Sequence, residues 1–285
     1  MSKADKYFRE EIKRIQEEGF NDKDYQVRPH WEDGTPAHTI KINFVIRTYD
    51  LSKEFPILTI RKQAFKNAVR EILWIYQKKS NYVPDLGKAA PIWQAWAGKD
   101  NTIGKAYGYQ VGKKSVYEYD NHYMALDQID NIIYLLKNHP MDRRMIIDLW
   151  NPSELYEMNL PPCMYQWIFD VQDNKLNATC IQRSGDALVA AGAGGFNDVE
   201  SAILVNMLAQ STGYKPGKLN RVVNNLHIYD KHLKYLSEIL SNPEYDSPKI
   251  WINPEKKDFY SFTEDDFKLV DYKATPLKEK LEVAI

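Results

Sequence analysis

The residues with the most chemical content are one cysteine and a polar run that follows it. Leu160-Pro161-Pro162-Cys163 precedes, across a hairpin-like stretch, Gln182-Arg183-Ser184-Gly185-Asp186. A thiol near a guanidinium, a hydroxyl and a carboxylate has the setting of an activated nucleophile, because a nearby cation favours the thiolate. The other cysteine, Cys180, lies in an apolar strand-like run without such a setting. Further polar residues stand where packing alone does not ask for them. Glu71 interrupts an apolar helical stretch just before Ile72-Leu73-Trp74, Arg143-Arg144 precedes a buried-looking strand, and Asn197 follows Phe196 at the start of a long helix. His227 and Tyr229 alternate on a short strand, which turns both to one side. No spacing suits a metal site. The run Gly192–Gly195 lacks the Gly-Lys-Ser/Thr ending of a phosphate-binding loop.

Periodicity supplies the elements that must hold these residues. Apolar positions at Phe8, Ile12 and Ile15 predict a helix over 3–18, and Gly19 to Pro36 punctuate a loop. Strands are expected at 39–47 and 56–60. Phe65, Ala68, Val69, Ile72, Leu73 and Tyr76 predict a helix over 63–77, and Leu126, Ile129, Ile133 and Leu136 predict another, stopped at His139-Pro140. A buried strand at 145–150 follows, then strands 165–171 and 176–182 paired about Asp173-Asn174. The remainder reads as a long helix over 197–213, a short strand at 226–229, a helix over 231–240 and a mixed tail from Trp251. Strand clusters separated by unequal helices imply an α+β fold with a mixed β-sheet flanked by helices, not a regular βαβ alternation.

The 285 residues are 44% hydrophobic and 13% aromatic, which suffices for a substantial core, and no repeat or linker divides them; one domain over 1–285 is expected. A formal net charge of -1 without blocks of like charge argues against a nucleic-acid surface. Two cysteines make no disulfide framework, the polar start Met1-Ser2-Lys3-Ala4-Asp5-Lys6 is unlike a signal peptide, and no apolar run approaches the roughly 20 residues of a membrane span. A cytoplasmic protein is expected.

From about Tyr25 to its last residue the chain resembles the thymidylate synthase family, most of all its Bacillus-type members. The anchors are Arg28, Pro56-Ile57-Leu58-Thr59, Glu71-Ile72-Leu73-Trp74, Ile92-Trp93, Ala106-Tyr107-Gly108, Arg143-Arg144, Trp150-Asn151, Pro162-Cys163, Gln182-Arg183-Ser184 with Asp186, Phe196-Asn197, His227-Ile228-Tyr229 and Val283-Ala284-Ile285. The resemblance implies a sheet-to-sheet homodimer that methylates C5 of dUMP with 5,10-methylenetetrahydrofolate as co-substrate, giving dTMP and dihydrofolate without a metal. Cys163 would add to C6 of the uracil ring, with Glu71 moving protons and Tyr107 among the catalytic groups. Arg28, Arg183 and Ser184 would hold the phosphate, with Arg143 and Arg144 supplied to the partner's site. Gln182 and Asn197 would belong to the nucleotide site, Asn197 reading the O4/N3 edge, and His227 and Tyr229 would take the ribose 3′-hydroxyl. Asp186 would bind the pterin, between walls from Ile92, Trp93, Trp96, Leu160 and Phe196, and the tail at Ala284 would close over it.

The chain departs from that pattern at four places. The link from Asp186 to Phe196 reads Ala187-Leu188-Val189-Ala190-Ala191-Gly192-Ala193-Gly194-Gly195, three residues longer than usual and without proline; it should touch nucleotide and folate, and its glycines permit unusual backbone angles and mobility. Asn224-Asn225 replaces Gly-Asp, Gln94 stands at a usual Asp, and Met164 replaces a common His. Two lost carboxylates motivate an alternative: a hydroxymethylase that adds water to the same intermediate, giving 5-hydroxymethyl-dUMP and tetrahydrofolate. A catalytically silent nucleotide- or RNA-binding homologue is the third reading. Retention of Cys163, Glu71 and the tail argues against it.

Overall fold

The computed structural model describes residues 2–285. In chain order the elements are α1 (Lys3–Glu18), β1 (Phe20–Asn21), β2 (Thr39–Asp50), α2 (Phe65–Ile72), α3 (Gly108–Gly112), β3 (Ser115–Tyr119), β4 (His122–Leu126), α4 (Gln128–Asn138), β5 (Ile146–Asp148), β6 (Met164–Gln172), β7 (Lys175–Asp186), α5 (Phe196–Thr212), β8 (Lys215–Tyr229), α6 (Leu236–Ser241), β9 (Lys249–Ile252) and β10 (Phe267–Val270). The main sheet runs β1-β2-β8-β7-β6-β5. Its β7–β8 pair is parallel and its other pairs antiparallel. The mixed sheet and α+β class are as expected.

Alternation along the strands gives the sheet one buried and one open face. In register across the buried face lie Arg47, Arg221, Cys180, Trp167 and Ile147. Against this face packs α5, apolar nearly all round and buried from Asp198 to Ala209. With the turns before it, the segment Ala187–Thr212 is long and apolar enough to cross a membrane, contrary to the expectation that no run approaches that length, but 78% of its most apolar window is buried inside the protein.

Local signals explain the boundaries. Ser2 caps α1 by accepting the Asp5 N–H, Asp127 caps α4 through Asp130, and Gly213 ends α5 in the left-handed region. Asp173 and Asn174 both take positive φ, as a tight hairpin between β6 and β7 requires. Two strand expectations are corrected. Residues 56–60 form no strand; the N–H groups of Thr59 and Ile60 donate to the Asp5 side chain and that of Leu58 to the Gly194 carbonyl. The short strand expected at 226–229 is the end of a fifteen-residue β8. The helix over 63–77 is α2 continued by a wider π turn, Leu73–Gln77.

The nine-residue link, for all its glycines, is held against the core. Ala187–Ala191 forms a π turn and 191–195 are buried. The N–H groups of Ala193 and Gly194 donate to Glu11 and Asp198 (each 3.0 Å), and Arg47 donates to the Ala191 carbonyl (2.7 Å). Arg47 also pairs with Glu11 and Asp198, and Arg221 with Asp198, so two buried guanidiniums and two buried carboxylates clamp the link to the sheet. At Gly194, φ is +63 and a Cβ would meet the Ala4 Cβ at 2.5 Å.

Candidate active site

Cys163 sits immediately before β6, partly exposed. Its N–H donates to the Tyr107 hydroxyl (2.9 Å) and its carbonyl accepts from the Arg183 N–H (3.0 Å). The Arg183 guanidinium donates to the carbonyls of Pro161 (2.8 Å) and Pro162 (3.0 Å) and lies 3.6 Å from the Cys163 Sγ. These two carbonyls hold the arginine beside the thiol, and the prolines' fixed φ stiffens the backbone that presents them. Tyr107 holds a φ of 44°, and the next residue must be glycine because a Cβ on Gly108 would lie 2.0 Å from the Ser80 carbonyl oxygen.

Behind the cysteine the site is lined by aromatic rings. Trp93 packs edge-on against Tyr107 (5.1 Å), Trp96 (5.9 Å) and, tilted, Trp74 (5.6 Å). Glu71, buried on α2, faces the Trp93 indole and the Glu200 carboxyl of α5. Burial pushes its carboxyl up to about 7, against donation from Trp93 and Glu200 that favours the charge. Glu71 Oε2 and Trp93 Nε1 face each other without a well-formed hydrogen bond, which leaves a buried acceptor and a buried donor available to a further partner. Burial also pushes the Tyr107 hydroxyl well above its usual range, with the Cys163 and Glu71 charges adding to it.

Around this centre the expected residues fall as follows. Gln182, Arg183, Ser184 and Asp186 share β7, and Gln182 donates to Asn197 Oδ1 (3.0 Å) at the start of α5. His227 and Tyr229 turn to one side of β8, their rings 5.0 Å apart. Arg28 is exposed in the loop before β2, within electrostatic reach of Tyr229. Leu160 and Phe196 are partly buried against the core, as is Trp96, and Ile92 is largely exposed. Ala284 lies in a tail whose last residue exchanges two backbone hydrogen bonds with His30 (2.8 and 2.9 Å), close to Arg28. Arg143 and Arg144 stand apart, exposed before edge strand β5, and Arg144 pairs with Asp142 (2.6 Å).

One sequence reading changes, and Asp186 has partners of its own: one carboxylate oxygen lies 3.2 Å from His232 Nδ1 and the other accepts the Leu188 N–H (2.7 Å). His232 Nε2 in turn contacts the Glu282 carbonyl (2.8 Å), so Asp186 ties the tail down through an imidazole. Cys180 does have a cation, because Arg221 donates to its sulfur, yet burial outweighs that contact and pushes the thiol up to about 11. The residues the sequence reading missed are Glu200, Arg221, Asp198 and His232. The available signal was a pair of acids, Asp198 and Glu200, inside a helix whose neighbours are apolar on every face.

This fold and site have known relatives. The thymidylate synthase family model matches residues 6–285. The chain is 42% identical over 275 residues to a thymidylate synthase of Bacillus subtilis subsp. natto, covering 96% of each chain, and 45% identical over 242 residues to that of Clostridium beijerinckii, covering 84% and 86%. The solved structure of thermostable thymidylate synthase A from Bacillus subtilis superposes with a TM-score of 0.91 at 41% identity, covering 99% of each chain. The chain belongs to the thymidylate synthase family. A methyltransferase activity follows from that membership, and these relatives favour it over hydroxymethyl transfer.

Proposed function

We propose that this protein is a dUMP methyltransferase working through a covalent Cys163–C6 adduct. The observation that carries the reading is the convergence on one ridge of Cys163, the Arg183 guanidinium 3.6 Å from its sulfur and the Tyr107 hydroxyl on its N–H, with Glu71 buried behind. Addition of the thiolate to C6 makes C5 nucleophilic toward the methylene of 5,10-methylenetetrahydrofolate. Glu71, raised to about 7, is poised to give and take protons near neutral pH, with Tyr107 beside it. Arg28, Arg183 and Ser184 hold the phosphate, Asn197 with Gln182 reads the base, His227 and Tyr229 take the ribose, and the indoles of Trp93 and Trp96 with Ile92, Leu160 and Phe196 wall the folate. Asp186 binds the pterin, and its contact with His232 helps to fix the tail at Ala284. Closure of that tail excludes water from the methylene intermediate, which favours hydride transfer and dTMP.

The whole chain acts as one catalytic domain, in the cytoplasm, as a homodimer joined through the open sheet face. Ile46, Val222 and Ile181 form a transverse row there, with Phe44, Ile146 and Ile168 exposed nearby, and Arg143 and Arg144 stand at the adjoining edge where they reach a partner's phosphate site. Incubation with 5-fluoro-dUMP and methylenetetrahydrofolate tests the adduct: mass spectrometry should find a stable complex on the peptide carrying Cys163. A complex on Cys180, or none, overturns the nucleophile assignment.

A further inference from the structure

Glu200 is a carboxylic acid fully buried in a core helix, three residues after Asn197 and hence on the same face. It ends a chain of hydrogen bonds whose direction has only one solution. The Arg221 guanidinium has donors only, so Gln182 must turn its Oε1 to it. That leaves Gln182 Nε2 to donate to Asn197 Oδ1 (3.0 Å). Asn197 must then turn Nδ2 toward Glu200, whose Oε2 accepts it at 2.9 Å. Beyond Oε2, the Glu200 carboxyl faces Glu71 on α2, and Glu200 Oε1 and Glu71 Oε2 are both buried without a hydrogen-bond partner.

We propose that Glu200 is a positioning residue that locks the side-chain amide of Asn197 in one direction and shares a proton with Glu71. This role rests on the synthase reading, in which Asn197 reads the base and Glu71 moves protons. A free asparagine amide rotates by half a turn and suits a uracil or a cytosine edge equally. Held between Gln182 and Glu200, it keeps one carbonyl lone pair and one N–H in fixed places, so only one pattern of donor and acceptor on the ring fits. Two buried carboxyls facing each other cannot both ionise cheaply, so the pair keeps one proton between them. Burial first, then the Glu71 charge, raises Glu200 well above the usual carboxylate range, which leaves the proton on Glu200 and the charge on Glu71. The other groups facing Glu200 are Arg221 from β8, Cys180 from β7 and Tyr76 from the π turn after α2.

Two variants of the full-length protein separate the two halves of this role. Glu200→Gln keeps an oxygen for Asn197 but has no proton to lose, and Glu200→Leu removes both functions while filling the space. Glu200→Gln should keep the preference for dUMP over dCMP within about twofold, and the alkaline limb of its kcat profile should move up by about one pH unit or more. Glu200→Leu should lower the dUMP/dCMP preference by about tenfold or more, the scale of a mispaired polar edge. Glu200→Leu leaves the Asn197 N–H without its acceptor, so its thermal midpoint is measured alongside to check that it folds, and Glu200→Gln keeps the proposal testable should it not. Wild-type selectivity in Glu200→Leu, or a wild-type pH profile in Glu200→Gln, overturns the proposal. If the unmodified protein makes no dTMP, the proposed function fails instead, and the equilibrium preference for dUMP over dCMP, read by tryptophan fluorescence, still decides the fate of Glu200.

Discussion

At the scale of single residues, the site is a set of side chains held by unusually specific backbone contacts. Cys163 is pinned through both its N–H and its carbonyl, and Arg183 is aimed at the sulfur by two proline carbonyls. Cys163→Ala should therefore lower turnover by at least about a thousandfold while dUMP binding, followed by calorimetry, persists, because the variant removes the nucleophile and leaves its frame. Residual turnover within tenfold of wild type would count against covalent catalysis. Most of these residues could be singled out in the sequence, since their types and order suggest the chemistry proposed for them. Glu200 could not be. Its meaning depends on Glu71 lying opposite, and the two are brought together only by the packing of α2 against α5.

Among the elements, the link between β7 and α5 is the clearest case of tertiary structure overriding composition. Its glycines suggest mobility, yet the buried cluster of Glu11, Arg47, Asp198 and Arg221 fixes it. Periodicity finds apolar faces, so it found α1, α2, α4 and α5, but it is blind to a charge cluster whose members are 11 to 221 residues along the chain. The β3–β4 hairpin was missed for a related reason: its strands are largely exposed and carry little apolar alternation. Asp198→Ala would leave two guanidiniums buried without their shared carboxylate and should cost about 3–5 kcal/mol in urea unfolding. Gly194→Ala, strained at its positive φ and crowded against Ala4, should cost about 2 kcal/mol by the same measurement.

For the molecule as a whole, two features bear on how the proposed site is closed: the tail and the open sheet face. The tail is held where His232 lies between the Asp186 carboxylate and the Glu282 carbonyl. Burial pulls the imidazole down, but Asp186 outweighs it and the net shift is upward. A raised folded value means that the contribution is fully present below the imidazole's ordinary range and is lost as pH rises through the folded value. Carboxypeptidase trimming of the last three residues should thus accelerate as pH rises above neutrality, and in His232→Gln it should be rapid and independent of pH over that window. On the sheet face, Arg144→Ala should raise the KM for dUMP several-fold with little change in kcat if its guanidinium serves a partner's phosphate. Sedimentation should at the same time show an unchanged dimer. Nothing in one chain's sequence or fold displays a second copy, so the proposed dimer rests on family resemblance and an exposed apolar row.

The central claim is that this site methylates dUMP and protects its intermediate from water. Product analysis tests it most directly: incubate the protein with dUMP and 5,10-methylenetetrahydrofolate, then identify and quantify the nucleotide and the folate. Equimolar dTMP and dihydrofolate is the predicted result. Accumulation of 5-hydroxymethyl-dUMP with tetrahydrofolate, or no change in dUMP, would contradict it.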